Sequence, residues 1–338
     1  MTAVATVGAV RTDARRRIVL VAAGLALGAA ALFWLAVGIG NGLLTPVEAF
    51  TALIGTGEPA TVFIVQELRL PRAAAALLIG LALGGSGTLF QRALGNPLAS
   101  PDFLGIAAGA GTMVVAAIVL GVGSELLLPG AALLGAALTA VLVYAFAWRR
   151  GVSPYRFILV GVGVAAFAQS ITSYLVSRAD LQDAQAALTW LTGSVGMTSP
   201  TTLTLLAVTV ALFIPAGVYA ARVLRPLELG DATARVLGSR TQWDRFALLA
   251  IGVVLVAVAT AAAGPIAFVA MIAGPLARLL LRRAGHSIAA SALMGAIVLQ
   301  TADLVAQHAF PWQLSTGVVT GAFGAPYIAW TLIRTARR

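Results

Sequence analysis

The sequence predicts an all-α, polytopic membrane protein of about ten transmembrane helices with both termini in the cytoplasm. Three observations carry the prediction. Of 338 residues, 60% are hydrophobic and only 10% charged, whereas a soluble domain carries about 25% charged residues. Uncharged apolar runs of about 18 residues or more, enough to cross a bilayer core, recur along the chain. The arginines between those runs fall almost entirely on one side once the runs are counted.

The first run extends from about Ile18 to Ile39, behind Arg15, Arg16 and Arg17. It exceeds the roughly 7–15 apolar residues of a secretory signal and lacks a clear small-x-small cleavage site before the polar stretch at Asn41, so it reads as a first span. Further spans are expected near 72–91, 102–121, 129–148, 154–177, 201–221, 244–263, 266–282, 287–308 and 316–334. Gly264-Pro265 must supply a tight turn between the seventh and eighth. Residues 1–17 then form a cytoplasmic tail, 18–334 a single transmembrane domain, and 335–338 a second cytoplasmic tail.

All 22 basic residues are arginine, and nineteen of them, including Arg11, Arg149, Arg150, Arg283, Arg334, Arg337 and Arg338, lie on one face of this scheme. Arg69, Arg72 and Arg178 lie on the other. The positive-inside rule makes the crowded face cytoplasmic. Several acids, Glu125 among them, are assigned to the outer face. The +10 net charge does not imply nucleic acid, which would need a soluble basic surface. The lysine-free, Ala-, Gly- and Arg-rich composition suggests a GC-rich bacterial genome, and so a bacterial cytoplasmic membrane with its lipids as surroundings.

Several chemistries are excluded. Without cysteine there is no disulfide, thiolate metal site or cysteine nucleophile. Without lysine there is no P-loop to bind and hydrolyse ATP. His286 and His308 read as solvated or interfacial residues, and no metal site or cofactor is expected. Ion-coupled carriers place ionisable groups deep in their spans. Asp303 is the one convincing case here, and it reads as a helix-packing or hydrogen-bonding acid ahead of a proton relay. A transporter built this way needs energy from a partner.

The segment from about 222 to 245 is where such a partner can dock. Pro226 and Gly230 should break the preceding span, Asp231 should N-cap a short helix, and Gly238 should end it. Ala234, Val236 and Leu237 would offer a small apolar face. The same stretch is equally readable as an ordinary connecting loop.

Three longer patterns go further. One runs from Arg69-Leu70-Pro71-Arg72 through Gly80, Gly84, Gly85, Ser86, Gly87 and Gln91 to Asn96-Pro97, Ser100-Pro101 and Leu104-Gly105. The second is Leu229-Gly230-Asp231 with Ala234-Arg235-Val236-Leu237-Gly238. The third joins Gly264-Pro265 to Ala277-Arg278, Ala302-Asp303 and Gly324-Ala325-Pro326, and Trp190, Gly193 and Ser194 add a smaller motif. Together they resemble the FecCD-type permeases, the membrane subunits of bacterial importers for iron–siderophores, haem and vitamin B12. Two departures stand out: Gly274-Pro275 replaces the Pro-His of many members, and Gln307-His308 stands where many carry an arginine.

The resemblance implies two ten-helix permeases, as a homodimer or a heterodimer, with two ABC-type ATPase subunits below and an extracytoplasmic substrate-binding protein above. It implies that Leu229, Gly230, Asp231, Ala234, Arg235, Leu237 and Gly238 couple to the ATPase. Arg69 and Arg72 would meet the binding protein, or else merely anchor the outer end of the second span. Gln91, Asn96, Pro97, Gln169, Ser170 and Ser173 are candidates for the translocation pathway, although hydrogen bonding between helices would account for them equally. No residue is expected to perform covalent chemistry. Ferric siderophore leads as substrate, ahead of haem and cobalamin. The small residues of the second span allow close helix approach, and Gly324-Ala325-Pro326 should break or kink the last. An ion-coupled secondary carrier, an intramembrane enzyme and a structural membrane subunit are the rival classes.

Overall fold

The computed structural model describes residues 3–40, 44–102, 104–122, 124, 127–148 and 153–336. Arg149, Arg150, Arg337, Arg338, Glu125 and Asn41, invoked above, lie outside the described residues, as do the side chains of Arg11, Arg283 and Arg334. The protein is 82% helical, with no strand among the described residues.

Each expected run contains a helix: α1 (Ala3–Gly38), α4 (Leu70–Ala93), α5 (Ile106–Val119), α6 (Leu127–Ala147), α7 (Pro154–Arg178), α9 (Pro200–Leu227), α11 (Thr241–Ala263), α12 (Val269–Leu281), α13 (Ile288–His308) and α14 (Thr316–Ala336). Between them lie α2 (Pro46–Leu53), α3 (Pro59–Phe63), α8 (Leu181–Thr192) and α10 (Asp231–Val236). Among the described residues, seven helices, α1, α4, α6, α7, α9, α11 and α13, are long and apolar enough to cross a membrane. The described part of the expected N-terminal tail is helical and continuous with the first span.

Three local expectations are corrected. The third and eighth spans are short, because helix begins only at Ile106 and Val269. Pro226 does not break the sixth, which continues to Leu227. The last helix runs unbroken through Pro326. Gly324 serves a different purpose there, since a Cβ on it would collide with the Phe268 side chain.

The core is the seam of α4 with α11, α12 and α13. A Cβ on Gly84 would strike the Ser291 carbonyl, one on Gly80 the Ala296 backbone, and one on Gly87 the Ala270 carbonyl. In lipid no hydrophobic drive separates helix from helix, so such close approach supplies the packing energy. Ser86 Oγ adds a bond to the Gly252 carbonyl at 2.7 Å, tying α4 to α11.

Pro71 explains the start of α4. It cannot donate to the Glu67 carbonyl, and the preceding turn, Ile64–Arg69, widens to π geometry with Leu70 N–H on Val65 O.

Candidate functional site

Residues that the sequence singled out collect at three levels along α4. At its Ala93 end lies the segment joining α9 to α11. Gly230, at φ 90°, caps α10, so Asp231 is the first helical residue and not the N-cap expected. Its carboxylate accepts from the two terminal nitrogens of Arg245, at 2.9 and 3.3 Å. Arg245 Nε donates to the Ala93 carbonyl at 2.9 Å, a group that the end of α4 leaves without a helical partner. Arg92 Nε meets Glu228 Oε1 at 2.7 Å. Gly238, at φ 84°, follows the end of α10 as expected.

The expected single apolar face on α10 is divided. Ala234 is buried, while Val236 is 88% exposed and Leu229 and Leu237 61% each. Arg235 and Arg240 flank these side chains and are exposed. The result is an uncovered apolar knob flanked by two exposed arginines, with Glu228 and Asp231 at its foot paired to Arg92 and Arg245.

His286 stands beside this cluster, its Nδ1 3.6 Å from Glu228 Oε1. Burial first, then the Arg92 and Arg278 charges, hold its imidazole below the usual histidine range, with Glu228 opposing.

At the opposite end of α4, Arg72 forms a two-pronged pair with Asp303, Nε at 3.1 Å and a terminal nitrogen at 3.0 Å. Gln307 and Thr316 each add a donor at 2.7 Å. Asp303 is 3% exposed and accepts four bonds, which agrees with its reading as a structural acid. Arg69 donates to the carbonyls of Val37 and Gly38 at 3.2 and 3.1 Å, closing the C-terminus of α1. Both arginines assigned to docking therefore hold helix ends within the chain. The Trp190–Ser194 motif belongs to the same knot: Ser194 N–H bonds the Ala263 carbonyl, and Gly317 N–H the Gly193 carbonyl.

Between these ends lies a discontinuous level. α5 and α12 have 14 and 13 residues, about 20 Å of helix, against about 30 Å of bilayer core. The irregular stretches 94–102 and 264–268 precede them. Leu104 and Gly105 lie against Gly161 and Ala165 of α7, roughly 10–16 Å in from its Pro154 end. The Asp102 carboxylate accepts from Ser100 Oγ at 3.1 Å and lies toward the Phe268 backbone. Non-helical backbone at such depth occurs where it is buried in protein or lines a cavity.

Asp102 was not singled out from sequence, and Phe268 entered only as one member of the Gly264–Val269 pattern. Asp102 reads as the polar start of an ordinary span, and no composition signal marks Phe268, whose φ of 70° is set by the turn it closes.

The pathway candidates divide. Gln91 is buried and donates to the Met271 carbonyl at 2.9 Å, the oxygen that Pro275, four residues on, cannot engage. Gly274 leaves room for that amide, since a Cβ there would come within 2.5 Å of Gln91 Oε1. Asn96 is half-buried, its side chain accepting from Leu98 N–H at 2.9 Å, and Pro97 is exposed. Gln169, Ser170 and Ser173 lie together on an exposed face of α7.

Residues 16–334 match the FecCD transport family. The chain belongs to that family. It is 40% identical over 294 residues to the ferric enterobactin transport system permease protein FepG of Escherichia coli (strain K12), across 86% of this chain and 88% of that protein. It is 39% identical over 302 residues to the achromobactin transport system permease protein CbrC of Dickeya dadantii (strain 3937), across 88% and 86%. The fold is similar to that of a metal-chelate type ABC transporter solved in an inward-facing conformation, with a TM-score of 0.80 at 24% identity, covering 93% of this chain and 98% of that one. This FecCD chain is a multi-pass membrane protein.

Proposed function

We propose that the chain is the permease subunit of a binding-protein-dependent ABC importer in a bacterial cytoplasmic membrane, moving ferric siderophores inward on the work of two separate ATPase subunits. The observation that carries the reading is the exposed knob of Leu229, Val236 and Leu237 on a FecCD chain. A partner groove with apolar walls and an acidic rim would complement it. Ten crossings with both termini cytoplasmic fit the alternation of helix directions along α4, α11, α12 and α13, with α5 and α12 completed by their irregular stretches. The coupling residues are then Leu229, Gly230, Asp231, Ala234, Arg235, Leu237 and Gly238, within about 222–245.

A second permease copy or a related chain would cover the Gln169, Ser170 and Ser173 face of α7, with Asn96, Pro97 and the Asp102–Phe268 junction nearer the cytoplasm. A binding protein would dock at the Arg72 end. The engagement of Arg69 and Arg72 with this chain's own helices favours their holding that surface in shape. The commitment of Asp303 to four bonds weighs against an ion-coupled carrier. Ferric siderophore leads because FepG and CbrC carry that chemistry in their names.

Uptake of iron-loaded enterobactin into vesicles holding the permease with its partners tests the proposal. ATP-dependent accumulation is expected. Accumulation without ATP, abolished by collapsing the ion gradient, would overturn it, and haem or cobalamin uptake instead would change the substrate alone. The cysteine-free chain also allows single-cysteine labelling of Val236→Cys, which must be reached only from the cytoplasmic side.

A further inference from the structure

We infer that α4 is the helix that takes up the motor's stroke, and that Arg92 and Arg245 are the positioning residues that fasten the coupling segment to its end. The inference rests on the importer reading. α9 and α11 follow the coupling segment by covalent connection, but α4 is remote in sequence, 136 residues from Glu228 to Arg92 and 152 from Arg245 to Ala93. It is joined to that segment through two guanidinium groups.

Both groups are well placed for force transfer. Their side chains are 9% and 7% exposed, which shields the guanidinium ends, while the Glu228 and Asp231 carboxylates that they hold are 36% and 39% exposed. Glu228 and Asp231 lie on either side of Gly230, at the foot of the exposed knob, and both ties lead to the last turn of α4. A push on Val236 or Leu237 is therefore delivered there.

From that turn onward α4 has little slack. Gly80, Gly84 and Gly87 bring it against the backbones of α13 and α12, and Ser86 bonds α11. At the far end the Arg72–Asp303 pair and Thr316 tie it to α13 and α14. A helix packed at backbone distance moves as part of a rigid body. α5–α7 follow α4 in the chain, and α5 and α6 pack against α11, so they meet that body through α11.

Two measurements on the permease assembled with its ATPase test this. Nitroxides are placed at Val236→Cys and Leu98→Cys, and their separation is read with and without ATP. One narrow distance, unchanged by ATP, is expected. Arg245→Gln and Arg92→Gln should broaden it, and the reversed pair Arg92→Glu with Glu228→Arg should narrow it again.

In vesicles, the ATP hydrolysed per iron taken up as ferric enterobactin should rise about tenfold in either single variant and return to within about threefold in the reversed pair. An unchanged distance distribution and ratio in both single variants would overturn the inference, as would a rise that the reversed pair fails to relieve. Should Arg245→Gln not assemble, Arg92→Gln and its reversed pair decide the question alone. ATP-independent uptake by the unaltered complex would instead overturn the importer reading, which the nitroxide distances do not address.

Discussion

α4 and α9 are both long and apolar, yet 78% of an 18-residue apolar stretch in the α4 span lies buried inside the protein and only 11% of such a stretch in α9. The difference is side-chain size. Where α4 meets its neighbours it carries Gly80, Gly84 and Gly87, which let backbones touch. α9 instead presents exposed Val208, Leu212 and Ile214. Lipid is as apolar as leucine, so apolarity alone does not decide which helix a bundle buries. Close approach does, and glycine permits it. α4 is thereby the rigid centre, while α7 and α9 are left for lipid or for a partner.

The largest effect should separate these two regions directly. Gly84→Leu must force α4 off the Ser291 carbonyl and should abolish recovery of folded protein in detergent. Gly163→Leu on α7, where a Cβ meets nothing within 4 Å, should leave recovery unchanged. Equal tolerance at both sites would break the comparison.

Next is the polar lock of the central helix. Asp303→Leu leaves Arg72 without its carboxylate and should cost about 2–3 kcal/mol, reduced from a fully buried pair because Arg72 is 23% exposed. Thermal unfolding of Arg72→Met with Asp303→Leu should show a smaller loss than the sum of the single variants.

A finer test concerns Gln91. Gln91→Ala orphans the buried Met271 carbonyl and should cost about 1–3 kcal/mol. Adding Pro275→Ala restores a backbone donor and should recover part of that loss. Additive losses would show that Gln91 acts elsewhere.

The smallest expected effect is at His286, beside the coupling segment. The folded His286 has its pKa below the unfolded value of about 6.5, so the unfolded chain binds the proton first. Stability is therefore full above about pH 6.5 and declines as pH falls through the lower folded value. His286→Gln should flatten that acid limb in a pH series of unfolding midpoints.

Much of the fold was legible because a membrane asks so little of a sequence: apolar runs for spans, arginines between them. Every expected run contains a helix. The short starts of α5 and α12 were not legible, since Pro101 and Pro265 punctuate the chain without saying how deep the turn sits. The short helix Asp231–Val236 was legible from Gly230 and Gly238, but the end of the preceding helix and the N-cap were not, since α9 runs through Pro226 to Leu227 and Gly230 itself caps α10. The role of Asp231 was missed because its partner, Arg245, is fourteen residues away and reaches it only after α11 folds back.

The sequence by itself determined the helical class, the apolar runs and the family, because these follow from local composition and from patterns contiguous in the chain. Tertiary structure alone decided which glycines touch a neighbour, that Gln91 answers Pro275, and that Arg72, Arg92 and Arg245 fasten the two ends of one helix. Each of those pairings joins residues far apart in the chain, and only packing selects among the many partners that composition allows.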